Sequence, residues 1–313
     1  MPRTDDDSWD ITESVGATAL TVAAARAAET RSANRLIEDP YAQLLLEAAG
    51  EGMWSAGNPL GQRESDPQLA AIEQLRLGYT ASRTKFFDDF LLAAVNTGVR
   101  QVVILAAGLD ARAWRLPWPD GAIVYEIDQP KVLQFKQATL QAHHAQPRAS
   151  YVAVPVDLRH DWPKALREAG FDPSRATAWL AEGLLPYLPA HAQDLLFERI
   201  HALSAVGSRL AVEAFDTAFF DPANLERQQA LRQRYAAAAA KRGQTIPDNA
   251  ELWYLEERTN VADWLSARGW SVNATTAHAL MAQNHRLPPA DVQDAILKTI
   301  FVESRLTSTA AHR

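Results

Sequence analysis

The chain contains no cysteine. Disulfide frameworks, thiolate zinc sites and cysteine nucleophiles are therefore excluded. No apolar run approaches the roughly 18 residues that a membrane helix requires. Positive charge is not in excess: 31 Lys and Arg stand against 38 Asp and Glu, a net charge of -7. A protein that neutralises phosphates needs a basic face, so no nucleic-acid partner is expected. No Gly-x-Ser-x-Gly turn offers a serine nucleophile. The histidines show no metal-ligand spacing with acids: His143-His144 falls at a predicted helix end and His160 in a turn. The opening Met1-Pro2-Arg3-Thr4-Asp5-Asp6-Asp7 is acidic and polar, unlike a secretory leader. These absences give the expectation of a cytoplasmic protein with no metal, no membrane and a small-molecule partner.

What is present suffices for a full core, since 47% of the 313 residues are hydrophobic. Residues 1–16 read as a mobile tail. An Ala-rich stretch over 17–35 favours helix. Asp39-Pro40-Tyr41 opens a second helix, with Asp39 as cap and Pro40 in the first turn. Residues 50–67, rich in Gly and Pro, read as a loop, and Phe86, Phe87, Phe90, Leu91 and Val95 mark a helix over 69–97. Strands at 101–106, 122–127, 150–156, 177–181 and 208–214 then alternate with helices at 110–115, 129–145, 161–169 and 190–205. That rhythm predicts an α/β, doubly wound, mostly parallel sheet. Segments at 272–276 and 296–302 complete seven strands as an antiparallel pair at the sheet edge. A helix over 225–242, then Gly243, Pro247 and Trp253-Tyr254, interrupts the series and reads as an inserted helical cap spanning 216–257. The expected organisation is a helical region at 17–97, a core at 98–215 and 258–313, and this cap.

Val102 to Asp110 is the most informative stretch, a buried strand ending in the small-residue turn Ala106-Ala107-Gly108. Asp128 follows twenty residues after Gly108, at the end of a second apolar run. Strand, turn and later acid form the nucleoside-holding pattern of α/β folds. Gly108 allows close backbone approach, and Asp128 can accept both ribose hydroxyls, or else cap the helix opening at Gln129-Pro130. The three-glycine pyrophosphate loop is missing, which favours a nucleoside without a pyrophosphate, S-adenosylmethionine first among them.

Other candidates carry plain structural alternatives. Asp110 serves equally as a helix cap. Asp157-Leu158 closes the third strand, where an acid and the next amide suit an adenine edge, or simply a turn. Glu182 ends the fourth strand, placed for the ammonium of the methionine part or beside the reacting methyl, and Tyr187 follows on a Gly/Pro loop. Arg83 can grip a carboxylate bidentately, although most helix arginines are solvated. Phe219, Phe220, Trp253 and Tyr254 suit an apolar acceptor pocket or a core.

In order, Asp39-Pro40-Tyr41, Arg83-Thr84, Leu105 to Asp110, Trp114-Arg115-Leu116, Tyr125 to Pro130, Asp157-Leu158 and Ala181-Glu182-Gly183 resemble the leucine carboxyl methyltransferase-like family, in particular its bacterial branch. The resemblance runs from about residue 17 to 303. It implies a Rossmann-like, class I methyltransferase fold and S-adenosyl-L-methionine as methyl donor. By position it sets Gly108 against the methionine part, Asp128 on the ribose, Asp157 and Leu158 on the adenine, Arg83 on the donor carboxylate, and Glu182 near the donor's amino-acid end. Arg31 is the counterpart considered for a second basic contact. The family often has glycine where this chain has Ala106. An acceptor carboxylate is ionised at neutral pH and needs no general base, which suits a site without an evident one. An NAD(P)-dependent oxidoreductase and a non-catalytic nucleoside sensor are the alternatives, the first weakened by the missing glycines, the second open because fold alone does not prove catalysis.

Overall fold

Every residue of Gln101–Leu105 (β1) is buried, which only a central strand covered on both faces allows. The computed structural model describes residues 14–50, 67–241 and 252–308. Ile123–Asp128 (β2) and Thr177–Ala181 (β4) pair with β1 in parallel on either side. Ser150–Pro155 (β3) extends the sheet beyond β2, and Arg209–Phe215 (β5) beyond β4. Thr299–Leu306 (β7) enters antiparallel between β5 and the edge strand Trp270–Thr276 (β6). The order is β3-β2-β1-β4-β5-β7-β6, the expected seven-stranded, mostly parallel sheet with an antiparallel pair at its edge. The chain winds outward in both directions from β1. Its crevice therefore lies beyond the carboxyl ends of β1, β2 and β4, where α/β sheets hold ligands.

Alternation along β1 divides the core. Val102 and Ile104 face a layer containing Leu20, Leu45, Phe87 and Leu91, whereas Val103 and Leu105 face one containing Trp162, Trp179, Phe197 and Leu265. The first layer comes from Ser14–Thr30 (α1), Pro40–Ala48 (α2), Pro67–Asn96 (α3) and Pro130–Ala142 (α5). The second comes from Trp162–Glu168 (α6), Ala190–Ala202 (α7) and Val261–Ser266 (α9). Each fully buried Leu or Phe in these layers contributes roughly 1.5–3 kcal/mol. Arg112–Arg115 (α4) follows the β1 turn, Pro222–Ala240 (α8) follows β5, and Ala277–Gln283 (α10) lies between β6 and β7.

Asp39 caps α2 as expected, accepting from the amides of Tyr41 and Ala42 at 3.1 Å. The first helix stops at Thr30, short of the expected 35, because Thr30 Oγ1 accepts the amide of Asp39 at 2.9 Å and folds the chain back. The expected tail falls almost entirely, and the expected loop at 50–67 and the Gly243–Pro247 part of the cap wholly or in large part, outside the described residues. Among the described residues no helix is long and apolar enough to cross a membrane.

Candidate active site

The crevice opens into a cavity of about 1270 Å³. Arg83, Gly108, Asp128, Asp157, Leu158 and Glu182 all line it, so residues spread over a hundred positions of sequence meet in one space. Gly108 has φ +49, in the left-handed region that favours glycine. A Cβ there would stand 3.3 Å from Ala19 Cβ on α1. Ala106 has φ +50, so the glycine that the resemblance leads one to expect here would relieve backbone strain.

Asp128 Oδ2 accepts the Gly108 amide at 2.6 Å, and its Oδ1 accepts the Gln129 amide at 2.6 Å. Burial pushes the Asp128 carboxyl up, and these two amides only partly oppose that. Gln129 Nε2 donates to Asp157 Oδ2 at 2.8 Å, so one residue joins the ribose and adenine candidates. Asp157 is also gripped by Arg159, at 2.8 Å from Nη2 and 2.8 Å from its amide. Burial raises the Asp157 carboxyl, but Arg159 and Gln129 outweigh it and hold it below the usual range.

Arg83 does not stand as a lone cation. Its Nε donates to Glu182 Oε1 at 2.9 Å and its Nη1 to Glu213 Oε2 at 3.2 Å. Glu182 Oε2 accepts from Arg112 Nη1 at 2.8 Å. Burial raises the Glu182 carboxyl, but Arg112 and Arg83 overcome this and hold it below its ordinary value. Arg112, itself 1% exposed, also donates to Asp88 Oδ1 at 2.6 Å and contacts the Asp110 carboxylate. Asp110 accepts the Arg112 amide at 2.6 Å, a cap-like bond, although the residue at the helix boundary is Ala111.

Sequence reasoning missed Gln129, Arg112, Glu213 and Tyr79. Gln129 sits beside Asp128 and Arg112 two residues past Asp110, so adjacency was the available signal. Nothing local marks Glu213, which accepts the Gly183 amide at 3.0 Å and the hydroxyl of Tyr79 on α3. The expectation for Arg31 is corrected: its Nη1 donates to Gln43 at 2.9 Å at an exposed position. Arg26 lines the cavity instead, with Nη2 donating to the Leu109 carbonyl at 2.7 Å and Nε to Asp39 at 2.9 Å. Phe219, Trp253, Tyr254 and Tyr187 line the cavity, whereas Phe220 packs on Phe215 and Phe219. His160 and His191 also line it, and no lysine does among the described residues. No group of His, Asp and Glu suited to a metal occurs among the described residues.

These residues fit an adenosyl group carrying an amino acid. Two amides take one lone pair on each Asp128 oxygen, leaving acceptor capacity for two hydroxyls. Leu158 donates its amide to nothing among the described residues, which suits a ring nitrogen. Arg83 uses Nε and Nη1 in its ion pairs, and its Nη2 remains a donor.

Residues 19–201 match the family model for leucine carboxyl methyltransferase. A protein of Mycolicibacterium paratuberculosis named "Putative S-adenosyl-L-methionine-dependent methyltransferase" is 60% identical over 310 residues, 97% of this chain and 99% of its own length. A Mycobacterium tuberculosis protein of the same name is 57% identical over 310 residues, with the same coverage of both chains. Among solved structures, magnesium protoporphyrin IX methyltransferase from Synechocystis is 14% identical, covering 80% of this chain and 91% of that one, with a TM-score of 0.47. The match to the family model spans the turn after β1, the acids ending β2 and β3, and Glu182, and with full-length relatives near 60% identity it places this chain in the leucine carboxyl methyltransferase family.

Proposed function

We propose that this protein is a cytoplasmic enzyme that methylates an oxygen of a carboxylate on a small molecule, with S-adenosyl-L-methionine as donor. It is a methyltransferase by family, and the oxidoreductase and sensor alternatives are not favoured by that membership. The observation that carries the site assignment is the Gln129 link, which holds Asp128 and Asp157 side by side past the Gly108 amide. In this reading Asp128 takes the ribose, Asp157 and Leu158 the adenine, and Arg83 and Glu182 the methionine end.

The donor, when bound, supplies a methyl group on a sulfonium, already a good leaving group. The chain's own residues provide alignment and exclusion of water. Glu182 stays ionised between Arg112 and Arg83, so it offers fixed negative charge where an ammonium must sit. Arg83 is anchored from two sides before any ligand arrives. The N-terminal helices and the cap at 216–257, represented by α8 and Trp253, select the acceptor.

Calorimetric titration with S-adenosyl-L-methionine and with its demethylated product tests the donor. Binding of both is expected, with no heat from NAD. Folded protein giving no heat with either ligand would overturn the reading. Transfer of labelled methyl into a metabolite extract as alkali-labile ester tests the carboxylate.

A further inference from the structure

A carboxylate offers about four lone pairs, and the two acids of the nucleoside site spend them differently. Asp128 accepts two backbone amides, one on each oxygen. Asp157 accepts from four donors. At Oδ1 these are the amide and Nε of Arg159, at 2.8 and 3.0 Å. At Oδ2 they are Nη2 of Arg159 and Nε2 of Gln129, both at 2.8 Å. No lone pair is left for the amino group of an adenine. A base is held at this acid only if one of the four donors leaves.

Which donor leaves follows from how each is anchored. The Arg159 amide belongs to the loop backbone, and that loop is held by bonds that do not involve the guanidinium. The His160 amide donates to the Asp157 carbonyl at 3.0 Å, and Arg199 on α7 donates to the His160 carbonyl at 2.9 Å. Gln129 is buried at the start of α5. The Arg159 side chain, in contrast, lines the cavity and is 28% exposed. An ion pair at such exposure is weak, because water screens it and a long side chain must be frozen to make it. Its replacement must itself donate, since an ionised carboxylate only accepts. An exocyclic amino group does so. A carbonyl at the same place on the base would set two acceptors face to face.

We infer that Arg159 is a specificity-determining residue of the donor site: its guanidinium occupies the Asp157 carboxylate until the amino group of an adenine takes its place. This rests on the donor assignment proposed above. The ligand-free site is thereby closed by its own side chain, and a base without an amino donor at that edge does not open it. The Arg159 amide and Gln129 keep Asp157 aimed throughout the exchange.

The test is calorimetry of the native protein and Arg159→Met with S-adenosylhomocysteine and with S-inosylhomocysteine, in which a carbonyl replaces the amino group. Removal of the competing side chain should lower the Kd of S-adenosylhomocysteine about two- to fivefold, the range of an exposed ion pair. S-inosylhomocysteine should gain nothing. An unchanged or weakened affinity for S-adenosylhomocysteine in the variant overturns the inference. An equal gain for both ligands does so too, because it would reflect only the loss of a positive charge. A crystal structure of the native protein with S-adenosylhomocysteine gives a second readout that does not depend on the variant. The guanidinium should stand clear of Asp157, with the adenine amino nitrogen in its place. A guanidinium still seated on both Asp157 oxygens would overturn the exchange. Native protein that binds S-adenosylhomocysteine but fails these tests loses the gate alone, whereas folded protein that binds none sinks the donor assignment and the gate with it.

Discussion

The amide of Gly108 donates to Asp128 Oδ2 at 2.6 Å across twenty residues of chain. The turn after β1 and the end of β2 therefore form one unit before any ligand binds. Asp128→Asn keeps the shape and removes the charge. Hydrogen bonds to a charged group contribute about 1.5–3 kcal/mol, so donor Kd should rise about 10–100-fold. Burial also raises the Asp128 carboxyl. Donor affinity of the native protein should thus weaken at a higher pH, on acidification, than an ordinary aspartate would cause. Calorimetry across pH checks both, and an affinity unchanged in Asp128→Asn would remove Asp128 from the site.

The same turn carries two left-handed residues with opposite expected responses. Gly108→Ala places a side chain where φ is +49 and where Cβ meets Ala19 at 3.3 Å. It should lose about 1–2 kcal/mol from backbone strain alone and weaken donor binding as α1 shifts. Ala106 already bears such strain at φ +50. Ala106→Gly should gain up to about 1 kcal/mol, the strain relief being offset by the greater freedom of glycine in the unfolded chain. Urea unfolding of the two variants measures both effects, and a destabilised Ala106→Gly would show that the alanine methyl is packed to advantage.

The central strands were legible because strands buried on both faces read as continuous apolar runs, and Gly108, Asp128 and Glu182 were legible because each follows such a run; Asp157 was legible as the acid after the edge strand β3. Helix ends were less so. The helix expected to reach 145 stops at Ala142, where His143 caps it and His144 takes φ +56. Propensity within 129–145 does not register that turn. Glu213 and the link from Arg112 to Glu182 stayed hidden for a different reason. The partners lie far along the chain: Glu182 is 70 residues from Arg112, and Tyr79 is 134 from Glu213. Such pairs are created by the sheet, not by local pattern.

Arg112 holds three carboxylates, Asp88, Asp110 and Glu182, at 2% side-chain exposure. Arg112→Met leaves these charges buried and without their common partner. Breaking a buried pair from one side costs about 3–5 kcal/mol. The thermal midpoint should fall well below that of the native protein. A midpoint within a degree of native would mean that water reaches these carboxylates and compensates them.

Glu126, fully buried beside Lys136 at 2.5 Å, is pushed up by burial from 4.5 to about 7, with Lys136 opposing. Between pH 4.5 and 7 the native state then retains a proton that the unfolded chain has released. Stability must therefore fall as pH rises through that window. Urea midpoints at pH 5 and pH 8 should show this step in the native protein and a smaller one in Glu126→Gln, which cannot titrate. Equal steps in both would assign the pH dependence elsewhere.

Arg258 ties together two cavity-lining segments that the proposed function sets on the acceptor side. Its Nη1 donates to the Leu185 carbonyl at 2.8 Å, and its Nη2 to those of Tyr254 at 2.6 Å and Leu188 at 3.3 Å. Its guanidinium also lies 5.5 Å from the centroid of the Phe215 ring. Leu185 and Leu188 flank Tyr187, and Tyr254 follows Trp253, so both cavity-lining aromatics are positioned through one side chain. Arg258→Met keeps apolar contact with Phe215 and removes the donors from three carbonyls. A loss of about 1–3 kcal/mol is expected from groups left unsatisfied. Because Arg258 bonds to none of Gly108, Asp128 and Asp157, donor Kd should change less than twofold while acceptor KM rises at least tenfold. Lysine at this position should recover little, since a single ammonium does not reproduce the planar fork. An equal fall in donor and acceptor affinity would instead make Arg258 a support of the whole fold.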